Sequence, residues 1–85
     1  MKKIVQITHG ELQNGDINIR VGIRFRVSNL RTLRDLRNEA TGEIMPYVRF
    51  NGEVVDRNNF YAGTQWDGGI YGAYCHIPTS IEERS

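Results

Sequence analysis

From Ile17 to Val27 the chain alternates apolar and polar residues without a break, Ile-Asn-Ile-Arg-Val-Gly-Ile-Arg-Phe-Arg-Val. Strict period-two alternation is the pattern of a half-buried β-strand. It predicts one long strand with Ile17, Ile19, Val21, Ile23, Phe25 and Val27 against a core, and with Arg20, Arg24 and Arg26 together on the opposite face. Lys3 to Thr8 predicts an earlier strand. Between them, His9 to Asp16 contains Asn14-Gly15-Asp16, a turn signal that accommodates positive φ, so the two strands are expected to form a hairpin.

Downstream the period changes. Leu30, Leu33, Leu36 and Ala40 share a helical stripe, Ser28 or Asn29 can act as N-cap, and Gly42 stands where a C′ residue would. A helix of about three turns is expected, with Arg31, Arg34 and Arg37 along one flank and Asp35 and Glu39 toward the other. Tyr47 to Asp56 returns to β-rich sequence around Asn51-Gly52, a pair suited to a type I′ hairpin turn, with Pro46 marking the start of its first strand. Phe60 to Gly72 reads as an aromatic, glycine-rich loop entering a last strand near Ile70 to Ile77, which Pro78 ends. The expected fold is α+β in the order β-β-α-β-β-β: an antiparallel sheet of four to five strands with one helix packed on one face. Residues 1–78 form this single domain, and 79–85 are expected to be a mobile tail.

Charge adds a polarity that the net value of +1 hides. Between residues 17 and 38 there are six arginines against the single acid Asp35, whereas the rest of the chain holds five basic and nine acidic residues. Such a basic segment attracts phosphates or an acidic protein surface. All six cations are arginine, the side chain that grips phosphate or carboxylate bidentately and stacks on bases. Arg20, Arg24, Arg26, Arg31, Arg34 and Arg37 are therefore the candidate nucleic-acid contacts, with RNA favoured because no recognition-helix module for a DNA groove is evident. The bland alternative is a solvated sheet face whose arginines pair with Glu53, Asp56 or the acidic tail. A protein-only reading, in which the arginine face docks on an acidic host protein as a small anti-restriction or anti-CRISPR protein would, explains the same residues.

Phe60, Tyr61, Trp66, Tyr71 and Tyr74 concentrate the aromatics in fifteen residues. They can supply either core bulk or stacking surfaces for bases. Trp66, between Gln65 and Asp67, is expected to be the most exposed and joins the candidate contacts. Gly63 to Ile70 has the G-x-x-x-x-G spacing of a phosphate loop, but Gly69 and Ile70 stand where Lys and Ser/Thr are required, which excludes a nucleoside triphosphatase. His9, Cys75 and His76 are too few for a structural zinc site, and no cofactor is implied. His9 and His76 could serve as general acid and base of a small ribonuclease, a third reading.

A chain of 85 residues buries roughly 60 to 65% of its extended surface, so the core is thin and self-association as a homodimer would help it. The single Cys75 fits a reducing compartment, and the apolar run after Met1-Lys2-Lys3 is shorter than a signal peptide needs; a soluble, cytoplasmic protein with no membrane segment is expected. In size and texture, including the opening Met1-Lys2-Lys3-Ile4-Val5-Gln6-Ile7-Thr8, the chain resembles small phage-encoded counter-defence proteins, in particular the T-even phage inhibitors of the ToxIN toxin–antitoxin system. The resemblance implies a non-enzymatic inhibitor of a host toxin ribonuclease that acts through RNA binding and self-association. It implies no individual site residue.

Overall fold

A computed structural model describes residues 2–66 and 73–84. Its strands are β1 (Ile4–Thr8), β2 (Ile17–Arg20), β3 (Ile23–Leu33), β4 (Tyr47–Val54), β5 (Gln65–Trp66), β6 (Ala73–Tyr74) and β7 (Pro78–Glu82). Sheet order is β1-β7-β2-β3-β4-β5, with β6 also pairing with β4, and every pairing is antiparallel. Among the described residues the only helical element is a single 3-10 turn, His9–Glu11. The expectation of an α+β fold with a packed helix is therefore wrong. The described residues form a seven-stranded antiparallel sheet.

The segment read as helix instead extends β3 to Leu33, where Arg31, Thr32 and Leu33 pair with Arg49, Val48 and Tyr47. A three-turn helix is marginal alone, and the interior of this one would include Thr32, a residue of low helix preference. Tyr47 to Phe50 offer a β-rich edge that β3 can fill. Asn29, at φ 52, makes the register shift between Ser28 and Arg31 that bends the strand. Beyond Leu33 the chain forms an arm, closed by an Arg37–Ile44 bridge and a turn in which Asn38 Oδ1 accepts the N–H groups of Ala40 and Thr41.

Two turn assignments exchange places. Asn51-Gly52 is not a turn: β4 runs through it, with Gly52 buried between Val27 on one side and Trp66 on the other. The alternation of buried Val48, Phe50, Gly52 and Val54 is matched by Phe25 and Val27 across the ladder, and that packing outweighs the local turn preference. The tight turn falls at Val21-Gly22, both at positive φ (47 and 76), inside what reads as one strand.

A two-residue turn reverses which parity faces the core. Asn18 now stands opposite buried Phe25, whereas Ile17 and Ile19 stand opposite Arg26 and Arg24. Asn18 is fully buried; its Nδ2 donates to Thr79 Oγ1 (2.9 Å) and to the Ser80 carbonyl (2.7 Å), while its Oδ1 has no partner.

Residues 79–85 were expected to be a tail, but Pro78–Glu82 lie between β1 and β2. Pro78 opens this strand; the expected last strand from Ile70 lies partly outside the described residues. Arg84 beyond β7 clamps the buried Asp16 carboxylate with Nε at 2.8 Å and Nη2 at 2.8 Å, and Nη2 also donates to the Glu11 carbonyl.

The inner face holds Leu12, Phe25, Val27, Val48, Phe50, Val54 and Ile81, with Val5, Ile7, Leu30, Trp66 and Cys75 packed against them. The segment after β1 crosses to the far side of this face: His9 N–H donates to the Ile77 carbonyl (2.9 Å) and Gly10 N–H to the Cys75 carbonyl (3.0 Å). A Cβ on Gly10 would lie 3.0 Å from Cys75 Cβ, a contact that would force the two segments apart by a few tenths of an ångström. No helix among the described residues is long and apolar enough to cross a membrane.

Candidate nucleic-acid interface

The outer face of the sheet is the one that alternates with the core positions. Arg24 and Arg26 of β3 lie there, as the alternation predicts, opposite Val55 and Glu53. Arg49, between buried Val48 and Phe50, points the same way, and Arg31 stands directly across from it. Arg34 and Arg37 follow in the exposed arm. The structure thus brings Arg24, Arg26, Arg31 and Arg49 onto one surface and leads Arg34 and Arg37 away from its end.

Arg20 does not belong to that surface. The turn at Val21-Gly22 puts it on the side of Asn18 and Ile23, at the rim of the core, where Nη1 lies 3.5 Å from His9 Nε2. The expectation that Arg20, Arg24 and Arg26 share one face is corrected by the parity reversal. Trp66 is corrected as well: its ring packs on Phe25 at 5.2 Å between centroids, tilted by 54°, and belongs to the edge of the core. Phe60 and Tyr61, 93% and 53% exposed and edge-on to one another, are aromatics that solvent reaches. Tyr71 lies outside the described residues, as do four residues of the Gly63 to Ile70 loop.

The outer arginines differ in how far acids neutralise them. Arg24 is flanked by two acids. Its Nη1 donates to Asp56 Oδ1 and its backbone N–H to Asp56 Oδ2, both at 3.0 Å, and Nε lies 3.5 Å from Glu82 Oε2 without aiming its N–H at it. The Arg24 backbone N–H and guanidinium hold the Asp56 carboxyl below its usual range. Arg26 pairs more loosely with Glu53, at 3.3 Å. This half of the face fits the bland reading of a solvated, ion-paired sheet, where each pair contributes little.

At the other end of the face two arginines meet across the ladder. Arg31 and Arg49 oppose one another in register, and Arg31 Nη1 donates to the Asn29 carbonyl rather than to an acid. Asp35, the one acid in the basic segment, accepts from Tyr47 Oη at 2.9 Å, a bond that raises the phenol's pKa. Arg49 was absent from the residues singled out by charge clustering, yet its alternation within Tyr47-Val48-Arg49-Phe50 identifies it as outward-facing.

The two histidines lie in different environments. His9 is 3% exposed, and its Nδ1 donates to the Ile77 carbonyl at 2.7 Å. A carbonyl can only accept, so Nδ1 carries the proton and Nε2 presents its lone pair to Arg20. Burial holds the imidazole neutral by lowering its pKa, against the Ile77 hydrogen bond and with help from Arg20. His76 is exposed and parallel to the Tyr74 ring. Among the described residues no cluster of His, Cys, Asp and Glu could hold a metal ion.

No family model, curated protein or solved structure matches this chain.

Proposed function

We propose that the protein binds single-stranded RNA without cleaving it, through the outer face of β3 and β4 and the arm beyond. Arg26, Arg31, Arg34, Arg37 and Arg49 are its phosphate contacts. In the setting that the resemblance implies, this binding serves to inhibit a host toxin–antitoxin ribonuclease. The observation that carries the reading is the Arg31–Arg49 register. A polyanion lying along this face meets both guanidinium groups at once and makes a charge-assisted contact with each. A sheet face bearing arginines, with no helix among the described residues to enter a DNA groove, suits a flexible single strand rather than a duplex.

The experiment is fluorescence anisotropy of nuclease-treated protein with labelled single-stranded RNA, competed by unlabelled RNA or by duplex DNA. Competition by RNA at concentrations where duplex DNA has no effect supports the reading. Absence of RNA binding at low salt overturns it and leaves the acidic protein partner, whose complex would survive nuclease.

A further inference from the structure

At the base of the arm, Ile44, Met45, Pro46, Tyr74, Cys75 and His76 line a cavity of about 240 Å³. Backbone pairing fixes its walls. Tyr74 pairs with Tyr47, Cys75 N–H donates to the Pro46 carbonyl at 3.2 Å, and Met45 N–H donates to the Leu36 carbonyl at 2.9 Å. With these amides bonded to one another, the side chains decide what the cavity accepts. They are largely apolar, and Ile44 is left 44% exposed.

Tyr74 ends β6 and opens a turn in which the Ile77 N–H donates to the Tyr74 carbonyl at 3.0 Å, and this reversal sets the His76 ring alongside the Tyr74 ring. Their rings are 6° from parallel with centroids 6.0 Å apart. Parallel aromatic faces beside a thioether and a proline ring are a surface for a planar heteroaromatic group, as in proteins that hold unstacked bases. The cationic surface leads to the same place: Arg37 bridges to Ile44, a wall of the cavity, and Arg49 acts electrostatically on Tyr47, which pairs with Tyr74.

We infer that this cavity is a nucleobase-stacking site, which takes one splayed base of a single strand whose phosphates run along the arm arginines. The inference deepens the RNA reading and rests on it for the phosphate contacts. Stacking on Tyr74 and His76 is tolerant of base identity, because every base has a π-face.

Adenosine 5′-monophosphate titrated into isotopically labelled protein tests the cavity without RNA. Ring-current shifts on the Tyr74 and His76 rings and the Met45 methyl are expected; a titration that leaves all three unmoved overturns the proposal. His76→Ala is the variant of choice, because the side chain is exposed and its loss leaves the core packed. With Tyr74→Leu added, RNA affinity should fall roughly 5- to 100-fold with an unchanged salt slope, and an abasic strand of equal length should bind wild type and variant alike. Equal affinity of wild type and variant for normal RNA also overturns it. If nucleotide shifts appear but no RNA binds, the RNA reading fails and the base site stands.

Discussion

Replacing Arg84 with methionine keeps most of the apolar stem and removes the guanidinium that joins the segment after β7 to the start of β2 and to the 3-10 turn. Two charge-assisted bonds of 2.8 Å to Asp16 and one of 2.9 Å to the Glu11 carbonyl are lost. The Asp16 side chain is only 4% exposed and keeps the Gln13 N–H at 2.8 Å. Stranding a fully buried charge costs about 3 to 5 kcal/mol. Arg84 is itself 40% exposed, so water reaches the pair and the expected loss falls to about 2 kcal/mol. For a domain of this size that lowers Tm by roughly 10 °C. Thermal and urea unfolding of Arg84→Met, Asp16→Asn and the double variant give the pairwise coupling.

The pH dependence follows from the same contact. Burial pushes the Asp16 carboxyl up, but the Arg84 hydrogen bonds and the Gln13 N–H together hold it below its ordinary value. A carboxylate lowered on folding stabilises above its unfolded pKa of about 4, and that stability is lost as pH falls through the folded value. The double variant should lack this part of the acid sensitivity. A loss below about 0.5 kcal/mol in Arg84→Met, with acid sensitivity unchanged in the double variant, would refute the clamp.

Val21→Asn should stabilise the protein by about 1 kcal/mol, since a β-branched residue at φ 47 and 93% exposure is replaced by one that tolerates the left-handed region; chemical denaturation reads the gain. Gly10→Ala should cost about 1 to 3 kcal/mol, because the new methyl meets Cys75 Cβ at 3.0 Å and separates the segments that cross the core. His9 adds a second acid-labile element. Its folded pKa lies below the ordinary imidazole value, so the unfolded chain takes up the proton first, and stability should decline as pH falls below about 6.5. His9→Gln should abolish that phase in a stability–pH profile.

The strands were legible where alternation was long, and their faces were not. Alternation placed Phe25, Val27, Arg24 and Arg26 correctly on β3. It assigned Asn18 and Arg20 to the wrong side, because period-two patterning continues through a two-residue turn while the faces exchange. Val21-Gly22 carries little turn signal, and Asn51-Gly52 carries a strong one that tertiary pairing overrides. Leu30, Leu33 and Leu36 satisfy a helical stripe, yet Leu30 packs on the core from a bulged strand and Leu36 is 42% exposed in the arm. Thr79-Ser80-Ile81-Glu82 holds one large apolar residue, too little for a sequence pattern, and becomes an interior strand because β1 and β2 lack each other as partners. At the candidate site the arginine cluster was legible as composition. The ion pairs of Arg24 and Arg26, and the opposition of Arg31 to Arg49, depend on register and were not.

The most direct test of the RNA reading is the salt dependence of RNA affinity for the wild type and for Arg31→Glu/Arg49→Glu. Five arginine–phosphate contacts predict a logarithmic slope near −3.5, at about −0.7 per contact on single strands. The double variant should bind more weakly at every salt concentration, with a slope shallower by at least about 1.4, whereas Arg20→Glu should leave the slope unchanged. Identical slopes and affinities for the wild type and the double variant would contradict the assignment of the β3–β4 outer face as the RNA surface.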